Sequence, residues 1–159
     1  MVNVLVICTG NSCRSVLAEA LLNHLGQGRI RAFSAGSHPI GKINIGVLAT
    51  LKHHGLPTEG YKSQSWDEFT DQPMDIAITV CDNAAGETCP VYLNKAVRAH
   101  WGVSDPGHVK GTDEDIIAAF EETYRILEHR IKKMLALPLE EMSERELSAK
   151  LNKIGTNLS

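Results

Sequence analysis

Val2-Asn3-Val4-Leu5-Val6-Ile7-Cys8-Thr9-Gly10-Asn11-Ser12-Cys13-Arg14-Ser15 is the stretch whose reading decides the fold. Six mostly β-branched or apolar residues run into a small polar loop, and an apolar-periodic segment follows from Val16. That succession reads as a buried strand, a tight loop and the start of a helix. Backbone N–H groups of a small-residue loop feeding a helix N-terminus attract an anion. Arg14 at the loop's end can grip two oxygens of a tetrahedral oxyanion. Cys8 at its start, held in that positive field, is expected to lose its proton well below the free-thiol value of about 8.5. The spacing predicts a nucleophilic thiolate beneath a bound phosphate-like ion, cradled by Thr9, Gly10, Asn11, Ser12, Cys13, Arg14 and Ser15. One cysteine and one arginine alone would suit a structural strand-to-helix turn. Gly10, Asn11, Ser12 and Ser15 tilt the reading to an oxyanion loop.

Working outward, Ser15 to Leu25 carries Val16, Leu17, Ala20, Leu21 and Leu25 on one helical face, with Gly26 as its stop. Ile30 to Ala35 is a short strand closed by Gly36, and Asn44 caps a helix through Val47, Leu48 and Leu51 that ends at Gly55. Ser65-Trp66-Asp67-Glu68 fits a capping box on one helical turn. Met74 to Val80 is a near-continuous apolar strand, the mark of a sheet buried on both faces, and Val97 to Trp101 is a weaker one. A long helix opens at Thr112, turns Ile116, Phe120, Tyr124, Leu127, Ile131 and Leu135 inward, and stops before Pro138. Ser143 begins a last helix with Leu147, Leu151 and Ile154 on one face. Strands alternating with helices predict a three-layer α/β fold with the ligand loop at the carboxyl end of the first strand.

At 159 residues one sizeable core is expected, and a net charge of −3 gives no sign of a nucleic-acid surface. No apolar run reaches the ~20 residues of a membrane span, and residues 1–7 lack the pattern of a secretion signal. A cytoplasmic setting with reduced thiols follows as the expectation, so that Cys8, Cys13, Cys81 and Cys89 read as catalytic or metal-binding rather than as staples.

Cys81 falls just past the third strand, at the same sheet edge as Cys8. Seven residues containing Ala84, Ala85 and Gly86 separate it from Cys89. A small, pliable segment between two thiols suits a relay in which one sulfur moves toward another; two unrelated loop cysteines are the plain alternative. Zinc pairs usually leave two to four residues between ligands, which argues against a metal site here. Asp105-Pro106 lies in the loop after the fourth strand, where a carboxyl could protonate a departing oxygen. An ordinary Asp-Pro turn would look the same in isolation.

The stretch C-T-G-N-S-C-R-S resembles the phosphate-binding loop of the low-molecular-weight protein tyrosine phosphatases and of the arsenate reductases built on that fold. The later stretches V-C-D-N-A-A-G-E-T-C-P and H-W-G-V-S-D-P tilt the resemblance toward the arsenate reductases, over roughly residues 2 to 137. It implies a three-layer α/β/α fold on a four-stranded parallel sheet of order 2-1-3-4. Residues 1–137 would form that domain, with 138–159 as a helical extension packed on it. It implies a thiol relay in which Cys8 attacks arsenate, Cys81 attacks Cys8 to release arsenite, and Cys89 carries the oxidation outward. Arg14 would hold the oxyanion, Ser15 would donate to the Cys8 thiolate, Asn11 would brace the loop and Asp105 would be the acid. The reductant would be thioredoxin, or glutathione with glutaredoxin. A monomer without cofactor or metal is expected. Thr9, Asn11, Glu19, Ser34 and Asp67 fall where some relatives bind potassium, although Trp66 and Lys62 argue against it here. A seven-residue rather than six-residue spacer, and the longer end, set the chain off from the thioredoxin-coupled branch. Two rival functions are a tyrosine phosphatase and a non-catalytic oxyanion sensor. Val16 in place of Pro, and Gly107-His108-Val109 in place of aromatics, weigh against the first. The Cys81–Cys89 pair weighs against the second.

Overall fold

The computed structural model describes residues 1–156. Its four strands are β1 (Val2–Ile7), β2 (Ile30–Ala35), β3 (Ile76–Thr79) and β4 (Val97–His100), all parallel in the order β2-β1-β3-β4. Five helices surround them: α1 (Arg14–Leu25), α2 (Ile45–His53), α3 (Asp82–Gly86), α4 (Asp113–Leu135) and α5 (Glu144–Thr156). This is the three-layer α/β/α architecture with the expected strand order. β1 lies centrally, with Val4, Leu5, Val6 and Ile7 buried, as an apolar run without alternation requires.

Local chemistry fixes most boundaries. The Asn44 side chain accepts from Gly46 N–H and starts α2. Ser65 with Glu68 forms a capping box on the turn Trp66–Phe69, and Thr112 with Asp115 forms another on α4. α1 is buried around most of its girth, because β2, α2 and α4 all pack on it. The third strand is shorter than the apolar run Met74 to Val80, since its pairing with β4 begins at Ile76↔Val97. The inward face of α4 also carries Thr123, Arg130 and Met134, while Ile116 and Leu135 are only half-buried.

β4 is an edge strand, and α5 runs along it. Asn152 Oδ1 accepts from His100 N–H at 3.0 Å, and Ser148 Oγ donates to Arg98 C=O at 3.2 Å. Leu147, Leu151 and Ile154 are buried beneath. The last three residues of the expected 138–159 extension lie outside the described residues. Among the described residues no helix is long and apolar enough to cross a membrane.

Candidate oxyanion and thiol site

Cys8 follows β1, and the loop it opens feeds straight into α1 at Arg14. Asn11, wholly buried, sits at φ 43, a left-handed conformation that asparagine tolerates better than most residues. Its amide braces the loop: Oδ1 accepts from Gln64 N–H at 2.8 Å, and Nδ2 donates to Ser15 Oγ at 2.9 Å. A Cβ at Gly36 would stand 2.4 Å from the Thr9 carbonyl oxygen, so only glycine lets the chain after β2 press this closely on the loop.

The loop lines a cavity of about 360 Å³ together with Ile40, Asn44, Asn83, Asp105, Gly107 and His108. Arg14 enters it from the side: Nη1 donates to Val103 C=O at 3.0 Å and Nη2 stands 3.5 Å from Asp105 Oδ2. Its Nε is buried without a protein partner, a donor that an oxyanion would satisfy. Asp105 is itself fixed, its Oδ1 accepting from Gly107 N–H at 2.8 Å and its Oδ2 lying 3.4 Å from His108 Nε2. Burial, with the Asp105 charge beside it, pushes the Cys13 thiol up to about 12. Cys13 is therefore a protonated wall of the cavity.

Cys81 caps α3, accepting from Ala84 N–H at 3.4 Å, and accepts from Thr9 N–H at 3.4 Å. Its sulfur also faces the Cys8 thiol, within reach of a shared hydrogen bond. That bond holds the Cys81 pKa well below the ordinary thiol value, helped by the two backbone N–H groups and opposed by burial. The same bond, with burial, holds Cys8 above the ordinary value, and Arg14 only partly offsets this. Cys8 and Cys81 are thus one coupled pair rather than two independent thiols. A reading of the loop alone misses this because Cys81 arrives from β3 and brings its own donors.

The structure brings Cys8, Thr9, Arg14, Cys81 and Asp105 together. Cys89 stands apart, half-buried, lining a separate cavity of about 310 Å³ with Glu87, Arg98, His100 and Asn152. All four cysteines are free thiols. Gln64 donates to Asn11 Oδ1 and, at 3.2 Å, to Ser34 C=O, while Ser34 Oγ donates to Glu19 at 2.5 Å. Burial pushes the Glu19 carboxyl up to about 7. The chemistry below uses no cation. One metal-ligating trio stands together among the described residues, His53, His54 and Glu121, and contains no cysteine. The sequence reading missed Asn83, His108, Ile40 and the Val103 carbonyl, which long-range packing brings to the cavity and no local motif marks.

Comparison with known proteins gives a consistent picture. The profile of the low molecular weight phosphotyrosine protein phosphatases matches residues 3–151. An arsenate reductase of Halalkalibacterium halodurans is 35% identical over 127 residues, 79% of this chain and 89% of that protein. The crystal structure of an arsenate reductase from Archaeoglobus fulgidus superposes with a TM-score of 0.70 at 26% identity, covering 84% of this chain and 99% of that one. A thioredoxin-dependent arsenate reductase of Corynebacterium glutamicum gives 0.61 at 26% identity, covering 86% of this chain and 64% of that one.

Proposed function

The chain belongs to the low molecular weight phosphotyrosine protein phosphatase family, and from its likeness to arsenate reductases we propose that it reduces arsenate to arsenite by a cysteine relay. The observation that carries the reading is the second sulfur, Cys81, placed beside the first, Cys8, at the mouth of an oxyanion loop. Hydrolysis of a phosphate ester needs one nucleophile and an acid; a sulfur facing the nucleophile serves a reaction that must remove two electrons from the protein.

Arsenate binds against the loop N–H groups and Arg14, whose Nε and Nη2 are the donors nearest to hand. As Cys8 attacks arsenic, its proton passes along the shared hydrogen bond to Cys81. An As–O bond breaks, and the oxygen leaves as water with a proton that Asp105 takes up as arsenate binds and then passes on. Cys81 then gives its proton to an arsenic-bound oxygen and attacks the Cys8 sulfur. The S–As bond breaks, its electron pair stays on arsenic, and arsenic(V) becomes arsenic(III) as Cys8 and Cys81 become a disulfide. Remaining protons come from solvent. Cys89 next attacks Cys81, frees Cys8 and leaves a Cys81–Cys89 disulfide for an external reductant. Thioredoxin is the reductant that the Corynebacterium glutamicum relative supports; glutathione with glutaredoxin is the other.

Cys81→Ser separates this reading from a phosphatase. It should abolish multiple-turnover arsenate reduction and leave slow cleavage of an activated aryl phosphate largely intact, since that needs only Cys8, Arg14 and Asp105. Arsenite release by Cys81→Ser at the parent rate would sink the relay.

A further inference from the structure

We propose that Glu87 is a positioning residue of the relay: it latches the segment between Cys81 and Cys89 to the oxyanion loop in the reduced protein, and the latch opens when the Cys81–Cys89 disulfide forms. The proposal rests on the relay reading above.

Glu87 follows α3 directly, in extended conformation. Its Oε1 accepts from the Thr9 hydroxyl at 2.9 Å, and its Oε2 lies 3.6 Å from His38 Nδ1. The His38 backbone N–H in turn donates to Thr9 C=O at 3.0 Å. At the other end of the helix, the Cys81 sulfur accepts from the Thr9 backbone N–H. Both ends of α3 are therefore tied to one residue of the loop, the front end through sulfur and the back end through a carboxylate. A five-residue helix has too few internal hydrogen bonds to hold itself, so these two anchors define it.

The two sulfurs face different ways. Cys81 looks toward Thr9 and Cys8, whereas Cys89 lines the cavity bounded by Arg98, His100 and Asn152. A disulfide brings its Cα atoms to about 4.4–6.8 Å, and α3 lies between these two residues. The helix must unwind for the bond to form, and the cavity of about 310 Å³ gives the segment room to move into. In that exchange Cys89 loses its proton and attacks Cys81. The Cys8–Cys81 bond breaks, the Cys81–Cys89 bond forms, and Cys8 leaves as a thiolate, with no net change in oxidation. Glu87 sits two residues from Cys89 and cannot keep Thr9 while Cys89 closes on Cys81. The latch thus exists in the reduced form and not in the oxidised one, which makes it a contribution to the redox equilibrium and not only to folding.

The test is the Cys81–Cys89 equilibrium in mixtures of reduced and oxidised dithiothreitol, in a Cys8→Ser background, with alkylation and mass spectrometry as readout. No arsenate is involved, so the result does not depend on the substrate. Glu87→Ala should favour the disulfide about tenfold, which for a two-electron couple is about 30 mV more negative. Glu87→Gln, which still accepts from the Thr9 hydroxyl, should recover most of that shift and guards against a misfolded alanine variant. Thr9→Val should also favour the disulfide, and the double variant should fall short of the sum of the two. An unchanged potential in a folded Glu87→Ala protein, or full additivity with Thr9→Val, would overturn the latch. Failure of any Cys81–Cys89 disulfide to form would overturn the relay and the latch with it.

Discussion

A thiol that donates to a neighbouring sulfur keeps its proton for as long as that neighbour stays charged, so Cys8 and Cys81 titrate as a pair. Alkylation near about pH 7 should therefore mark Cys81 before Cys8. Replacing Cys81 by Ser removes the competing thiolate but leaves Arg14 and the loop, so Cys8 should become more reactive, by about tenfold for each unit its pKa falls. Rates against pH with the modified residue identified by mass spectrometry decide it; a Cys8 rate unmoved by Cys81→Ser would contradict the shared proton. The Cys8-to-Arg14 loop was legible because its residues are contiguous. The coupling of Cys8 to Cys81 was not, because a field argument drawn from neighbours in sequence omits a sulfur delivered by another strand. Glu19 offers a second residue-scale test. Its folded value of about 7 lies above the ordinary 4.5, so the native state holds a proton that the unfolded chain has already lost. Stability is untouched below about pH 4.5 and falls between there and about pH 7, by an amount on the order of 3 kcal/mol. Glu19→Gln should flatten that slope in thermal melts; an unchanged slope would assign it to other groups.

At the scale of elements, the segment after Cys81 shows what periodicity can and cannot reveal. Asp82 to Gly86 has one buried side chain, Ala84, and so no apolar stripe to announce a helix. It reads as a pliable spacer, yet it forms α3 because Cys81 caps it and Thr9 holds both its ends. α4, with buried residues spaced from Phe120 to Met134 and a capping box, was legible as a helix, although Thr123 and Arg130 on its inward face were not. The relay gives α3 a task that a single variant isolates. If Cys89 acts only after arsenite has left, Cys89→Ser should release about one arsenite per protein and stall as the Cys8–Cys81 disulfide. Counting arsenite in a single turnover without reductant, then mapping disulfides by mass spectrometry, measures both halves of that statement. Full multiple turnover with thioredoxin would contradict a third thiol. Full turnover only with glutathione and glutaredoxin would mean that glutathione attacks an earlier intermediate and Cys89 is dispensable.

Over the whole molecule, the site depends on a chain of packing that starts at its far end. α5 seals β4: the Trp101 indole N–H donates to Leu151 C=O at 2.8 Å, and a Cβ at Gly155 would stand 2.2 Å from the His100 carbonyl oxygen. Trp101 and Gly102 offer their carbonyls to the buried Arg130 of α4, at 3.0 and 3.1 Å, and the next residue, Val103, receives Arg14. The loop that carries Asp105 is thus suspended between α4, α5 and Arg14. None of this was legible in sequence, where Leu147, Leu151 and Ile154 announce an amphipathic helix but not the surface it covers. We treat α5 as part of one folding unit with the sheet. Leu151→Ala, at a site with no exposure, should then cost about 2–5 kcal/mol and lower the denaturant midpoint of a single transition without splitting it. Asn152→Leu keeps that core but strips the partner from His100 N–H, and should cost less while exposing a strand edge that pairs with other copies. Denaturation followed by tryptophan fluorescence, beside light scattering over a range of protein concentrations, distinguishes the two. A Leu151→Ala protein within about 0.5 kcal/mol of its parent would show α5 to be an appendage rather than a wall of the fold.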